Sequence, residues 1–264
     1  MSGIHLRDAR APEGMRLHAI GDVHGRLDLL YAMHRRIAED MARDPPADWR
    51  IVHLGDYVDR GPASKGVLDF LIAVRAIEPR NIMLGGNHDV AFLDFLERPD
   101  ASGVFALYGG VQTAKTYGVD LAIGNDAPAG QAEEALRSGH AQLLRAVPQS
   151  HVDFLRGLIF CASFGDFFFC HAGIRPGVAL DRQDREDLIW IREAFHDYPG
   201  LYPKVIVHGH TPHRLPEIKA NRVNVDTLAH KSGRLTALVV DGAKKEILTV
   251  VEDGSVQRSE AVTP

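Results

Sequence analysis

The stretch Arg50-Ile51-Val52-His53-Leu54-Gly55-Asp56-Tyr57-Val58-Asp59-Arg60-Gly61 changes character half-way along. Arg50 to Leu54 is a short, mostly apolar run closed by glycine, which reads as a strand. After it comes a loop holding two aspartates and an arginine between two glycines. A lone Asp after Gly is ordinarily a turn residue, because its carboxylate bonds the backbone just ahead. Here the event repeats. Met15 to Ile20 runs into Gly21-Asp22-Val23-His24-Gly25, and Asn81 to Leu84 runs through Gly85 into Gly86-Asn87-His88-Asp89. Further on, Asp166 to Cys170 leads into His171-Ala172-Gly173, and Lys204 to Val207 into His208-Gly209-His210-Thr211. Ligand sites in open α/β sheets gather at the carboxyl ends of strands, so five such loops can converge on one crevice. Their glycines let the backbone turn sharply and approach a ligand closely.

Helical patterns lie between the first strands. Leu30, Met33, Ile37 and Met41 fall at helical spacing within Leu27–Met41, and Pro45-Pro46 ends that run. Ser64 is placed to cap a helix through Leu68, Leu71, Ile72 and Arg75, and His88 to Glu97 reads as a third helix. This alternation predicts an α/β fold. Residues 98–150 are rich in Ala and Gly, with a loop expected over Gly124–Gly130 and a helix over Glu133–Val147. They read as a helical cap inserted into a single domain spanning 1–264. Strand character then returns at Arg222–Val225, Leu235–Val240 and Glu246–Val251, the last two about an Asp241-Gly242 turn. The last ten residues are polar and expected to fray.

Composition narrows the function classes. The 264 residues are 45% hydrophobic and 25% charged, and 30 basic against 35 acidic residues leave a net charge of −5. That balance argues against a general nucleic-acid binder. The longest apolar run, Leu158 to Cys170, is broken by Gly165 and Asp166, so no membrane span is expected. Arg7, Asp8, Arg10 and Glu13 leave no apolar core for a secretory signal. Cys161 and Cys170 lack CxxC spacing, and a cytoplasmic protein with free thiols fits best. No GxxxxGK[ST] loop occurs, which removes P-loop nucleotide chemistry.

Asp and Asn oxygens with His nitrogens, and no Cys among them, suit a hydrolytic divalent cation such as Mn²⁺, Fe²⁺ or Zn²⁺. Asp22 and His24, two apart at a strand end, can share one cation. Asp56 can bridge to a second through its other oxygen, with Asn87, His171 and His210 completing it. Two cations about 3.5–4 Å apart clamp a phosphate, and Arg60 offers a planar fork for its oxygens. Of the fourteen histidines, His53 reads as a packed core residue, and His208 and His213 as neighbours of the ligands rather than ligands.

These segments resemble the signature blocks of the calcineurin-like metallophosphoesterases, in family order from 21 to 211. Gly55–Gly61, in the form Gly-Asp-Tyr-Val-Asp-Arg-Gly, resembles the PPP family of Ser/Thr protein phosphatases in its short bacterial and phage branch. The resemblance implies an α/β sandwich of two mixed sheets flanked by helices. It implies two divalent ions, Mn²⁺ foremost with Fe or Zn as alternatives, held by Asp22, His24, Asp56, Asn87, His171 and His210. His88 would protonate the leaving oxygen, oriented by Asp59, while Arg60 would hold the phosphate. Leu188-Ile189-Trp190-Ile191-Arg192-Glu193 resembles the block that supplies a second phosphate-binding arginine, here Arg192. The implied reaction is phosphomonoester hydrolysis by in-line attack of a hydroxide held between the two ions. Phosphoserine or phosphothreonine in a protein is the leading substrate, with a small phosphomonoester as the alternative partner.

A symmetrical dinucleoside tetraphosphate hydrolase shares the scaffold, but such relatives tend to carry Ala at the position of Asp59. A non-catalytic binding module would have lost ligands or the acid histidine, and none is missing. Two positions depart from the family pattern. Gly85 stands where many relatives have arginine, and Leu228 where bacterial relatives often have glycine. Leu would not adopt positive φ cheaply there.

Overall fold

The computed structural model describes residues 3–123 and 132–262. The loop expected over Gly124–Gly130 lies outside the described residues. The chain opens with three strand–helix units: β1 (Met15–Ile20), α1 (Leu27–Arg43), β2 (Asp48–His53), α2 (Ser64–Ile77), β3 (Asn81–Met83) and α3 (Asn87–Glu97). Four helices follow, α4 (Val104–Leu107), α5 (Gly110–Thr116), α6 (Ala132–Ala146) and α7 (Gln149–Arg156). Then come β4 (Cys161–Phe164), β5 (Phe167–Cys170), α8 (Arg185–Trp190), α9 (Glu193–His196), β6 (Val205–His208), β7 (Glu217–Ile218) and β8 (Arg222–Asn224). The chain closes with α10 (Ala229–Ser232) and the strands β9 (Arg234–Asp241), β10 (Lys244–Val251) and β11 (Val256–Glu260).

The strands form two mixed sheets, ordered β11-β10-β9-β1-β2-β3 and β4-β5-β6-β8-β7. Period-2 alternation decides their faces. Leu17, Ala19, Val52 and Leu54 point to one side and meet Phe167, Phe169, Val205, Val207 and Val223 of the second sheet in a buried core between the sheets. Ile20, Ile51 and Met83 point the other way, under Leu30, Met33 and Ile37 of α1 and Val67, Leu68 and Leu71 of α2. Outside the second sheet, Phe168, Cys170 and Ile206 pack on Leu188, Ile189 and Phe195. β1 pairs parallel to β2, and β5 parallel to β6, so the loops after these strands leave at one edge of the sandwich. Phe105, Leu121 and Leu143, from the segment expected as a cap, join the cluster over α1 and α2. Among the described residues no helix is long and apolar enough to cross a membrane.

Two local expectations are corrected. The last ten residues do not simply fray, since Val256–Glu260 pairs antiparallel with β10 from Glu246 to Val250. An edge strand exposed along its whole length carries no alternation, and its order comes from the ladder and from Arg258 bonding Glu246 at 2.8 Å. Ser64 opens α2 without capping it. Its Oγ instead accepts the Asp59 N–H at 3.1 Å.

Candidate metal centre and active site

Six non-glycine residues among those described have positive φ: His24 (43°), Asp56 (54°), Asp59 (70°), Arg60 (66°), His210 (65°) and Leu228 (59°). Such backbone costs on the order of 1–3 kcal/mol per residue and survives only where its surroundings over-determine it. Five of the six belong to the expected site. Two glycines are required by close approach. A Cβ on Gly86 would lie 2.1 Å from Asp56 Oδ1, and one on Gly209 2.0 Å from Asp22 Oδ1.

Local hydrogen bonds aim the imidazoles. His24 Nδ1 donates to the Val58 carbonyl at 2.8 Å and His171 Nδ1 to the Leu54 carbonyl at 2.9 Å, which turns each Nε2 inward as the free lone pair. The Asp56 carboxylate lies between them. Its Oδ2 is 3.4 Å from His24 Nε2 and its Oδ1 3.4 Å from His171 Nε2. Asn87 Oδ1 sits 3.0 Å from His171 Nε2 and 2.8 Å from His210 Nδ1. The donor atoms of His24, Asp56 and His88 lie within 4.8 Å of one another, as do those of Asp22, Asp56 and His171, and Asp56 is common to both groups. The six expected ligand residues therefore meet in one pocket, each buried.

Electrostatics points the same way. Burial, then Asp226 and Asp56, push the Asp22 carboxyl well above its ordinary range. Burial opposes ionisation of Asp56, but His171, His88, His24 and His210 around it hold it low. Burial holds His24 and His171 neutral. Two buried carboxylates and the Asn87 carboxamide beside neutral imidazoles are the donor set of a divalent cation, so the residues present fit such ions.

His88 Nδ1 meets Asp59 Oδ2 at 2.7 Å. Burial would lower His88, but Asp56 and Asp59 outweigh it and raise its pKa. Burial raises Asp59 in turn, against the pull of His88. The pair shares one proton, and we place it on the histidine because Asp59 already accepts from Thr113 Oγ1 at 2.8 Å. Arg60 donates to His24 Nε2 at 2.9 Å and to His88 Nε2 at 2.8 Å, and Arg192 Nε donates to His210 Nε2 at 3.2 Å. Both guanidinium groups thus cover the pocket. Trp190 stands on its wall, edge-on to His210 at 5.8 Å, while Tyr57 is core and donates to the Leu84 carbonyl at 2.6 Å. His208 is buried against Phe195 and His53 is fully buried, as expected of non-ligands.

Three contributors carried no assigned role in the sequence. Asp89 accepts the N–H groups of Asp56, Tyr57 and Gly86 at 2.8, 2.9 and 2.9 Å and so ties two site loops together. Its place one residue after His88 was the available signal. Thr113 reaches Asp59 across 54 residues from a segment without a motif, and no sequence pattern marks it. Asp226 lies in the Asp-Thr-Leu-Ala segment noted only for Leu228.

The sequence profile of the calcineurin-like phosphoesterases matches residues 15–240. This chain belongs to that family. Among curated proteins it is 24% identical, over 246 residues, to bis(5'-nucleosyl)-tetraphosphatase PrpE [asymmetrical] of Bacillus thuringiensis (strain Al Hakam), covering 85% of this chain and 90% of that one. The protein of the same name from Bacillus anthracis (strain CDC 684 / NRRL 3495) is 23% identical at the same coverage. Among solved structures, one provisionally named a diadenosine tetraphosphatase superposes with a TM-score of 0.60 at 17% identity, covering 97% of this chain and all of that one. A cold-active protein tyrosine phosphatase follows at 0.54 and 16%, covering 96% and 82%. These likenesses establish the two-sheet metallophosphoesterase fold.

Proposed function

We propose that this chain hydrolyses phosphate anhydrides and esters at a pair of divalent cations, with a dinucleoside tetraphosphate as the leading substrate. The observation that carries the reaction is the Asp56 carboxylate, whose two oxygens face two different imidazoles at 3.4 Å each. Asp22, His24, Asn87, His171 and His210 would complete the two coordination spheres. Two cations bound there would neutralise the phosphate and bring water to its hydroxide form near neutral pH. Arg60 and Arg192 would hold the non-bridging oxygens, and once the Arg60 guanidinium has turned from His88 Nε2 to the phosphate, that nitrogen can hold a proton for the leaving oxygen while Asp59 fixes Nδ1 of the ring. The names of the curated relatives support the tetraphosphate.

A second reading, protein phosphoserine or phosphothreonine, has its own observation in the 2.7 Å contact between His88 and Asp59. A serine alkoxide needs a proton in order to leave, whereas a nucleotide phosphate departs as a stable anion. The test assays Mn²⁺-reconstituted protein side by side on diadenosine tetraphosphate and a phosphoserine peptide. Higher kcat/KM on the tetraphosphate supports the first reading, and the products distinguish symmetrical cleavage (two ADP) from asymmetrical (ATP and AMP). The reverse ranking supports the second reading. Hydrolysis of neither would overturn both.

A further inference from the structure

We propose that His230 and Lys231, on α10, form a subsite for the phosphate next to the one being cleaved, which fits polyphosphates better than single phosphomonoesters. The proposal rests on the reading of the metal centre given above. His24 is flanked by two imidazoles, not one. His88 stands edge-on to it at 4.8 Å and 87°, and His230 at 5.2 Å and 84°. The His230 Nδ1 is buried and has no hydrogen-bond partner among the described residues. By contrast, the Nδ1 of each of His24, His88, His171 and His210 is bonded.

The loop that presents His230 is held firmly. Leu228 keeps a φ of 59°. Its N–H donates to Asp226 Oδ1 at 2.9 Å, and Ser232 Oγ donates to the Thr227 carbonyl at 2.6 Å. Arg26, itself fixed by Asp28 and Glu252, donates to the Ala229 carbonyl at 2.9 Å. Strain maintained this way next to a pocket points to a positioned side chain.

Charge decides what His230 meets. The side chains that act most strongly on it, Arg60, His88, Lys231 and Arg26, are all basic. Lys231 is exposed and makes no ion pair among the described residues. A cavity of about 380 Å³ that borders Asn87 and is not lined by α10 is lined by Asp94, Glu97, Asp100 and Glu186 with Arg98 as the one basic residue. A polyanion whose first phosphate is held by Arg60 and Arg192 is repelled from that cavity and extends towards α10.

The test measures calorimetric binding of inorganic tripolyphosphate and orthophosphate to the Mn²⁺-loaded protein, in the wild type, His230→Ala, His230→Gln and Lys231→Ala. The wild type should prefer tripolyphosphate. His230→Ala should weaken tripolyphosphate about tenfold or more, the scale of one hydrogen bond to a charged group, with a smaller effect on orthophosphate. His230→Gln should recover part of the loss. On diadenosine tetraphosphate, KM should rise more than kcat falls, and the loss should exceed that on p-nitrophenyl phosphate. Metal content per chain is measured on each variant. Equal affinity for the two anions in the wild type would overturn the subsite whether or not the protein turns over either substrate. Equal weakening of both anions together with loss of metal would overturn it too, leaving His230 as mere packing against His24. Lack of turnover alone would count against the function proposed above, not against the subsite.

Discussion

Asp56, Asp59 and Arg60 share one loop with φ values of 54°, 70° and 66°, and the loop spends backbone strain to face its side chains inward. The chemistry at its end is tested through His88. Proton donation matters as the leaving bond breaks, so His88→Asn should lower kcat by about 10²–10⁴ with little change in KM. Steady-state kinetics should show a greater loss on an alkyl phosphate such as phosphoserine than on p-nitrophenyl phosphate, and equal losses would remove His88 from that role. Asp59 acts on the same proton. Because Asp59 helps raise the His88 pKa and the protonated ring is the active form, Asp59→Asn should move the alkaline limb of the kcat profile to lower pH. A profile unmoved by the substitution would contradict the pairing. At this scale the glycine-bounded Asp, Asn and His residues were legible, because a ligand residue at a strand end must sit beside a residue that tolerates close backbone approach. Thr113 was not, since a hydroxyl recruited from a distant helix obeys no local spacing.

Among the elements, α1 and α2 could be read from apolar period, because each buries one face, and the first three strands from short apolar runs closed by glycine, because the sheet is covered on both sides. β11 could not, as it buries none. α10 is defined by a single unfavourable residue. Leu in the left-handed region costs about 1–2 kcal/mol, and glycine there gives back about 0.5–1 kcal/mol through chain entropy. Leu228→Gly should therefore leave stability within about 1 kcal/mol, while β-branched Leu228→Val should lose on the order of 1–3 kcal/mol. Thermal melts of both decide it, and Val as stable as Gly would show that no strain is held at 228. β1 offers a pH test away from the metal centre. Burial, then Arg16, lowers the His18 pKa to about 3, and its Nδ1 has no partner. The unfolded chain takes up that proton below about 6.5 and the folded chain does not, so stability is full above 6.5 and falls as pH drops towards 3. At pH 5 the loss from His18 alone should be about 2 kcal/mol. Urea melts of the wild type and His18→Leu at pH 7 and 5 would show it as a smaller pH effect in the variant; identical pH effects would discard the assignment.

At the scale of the molecule, the expected ligands come from both sheets: Asp22, His24, Asp56 and Asn87 follow strands of the first, His171 and His210 strands of the second. Ions binding only the folded form stabilise it by about 2.7 kcal/mol at a hundredfold excess over Kd. Exhaustive chelation should thus lower Tm by about 5–10 °C and abolish p-nitrophenyl phosphate hydrolysis, with Mn²⁺ restoring more activity than Mg²⁺ because imidazole nitrogens suit it better. An unchanged Tm and full activity after verified metal removal would refute the centre. The sheet order has one more result, which concerns synthesis on the ribosome. β1 is central, with β2 on one side and β9 on the other, yet β9 is made about 200 residues later. Until Arg234–Asp241 emerges, the free edge of Arg16–Ile20 stays open to stray pairing with other nascent chains. The second sheet is likewise incomplete until Asn224 has been translated, and the expected ligand set until His210 has. Activity should therefore appear only after β9 has emerged, and ribosome-bound chains arrested before residue 234 should be inactive and dependent on chaperones to stay dispersed.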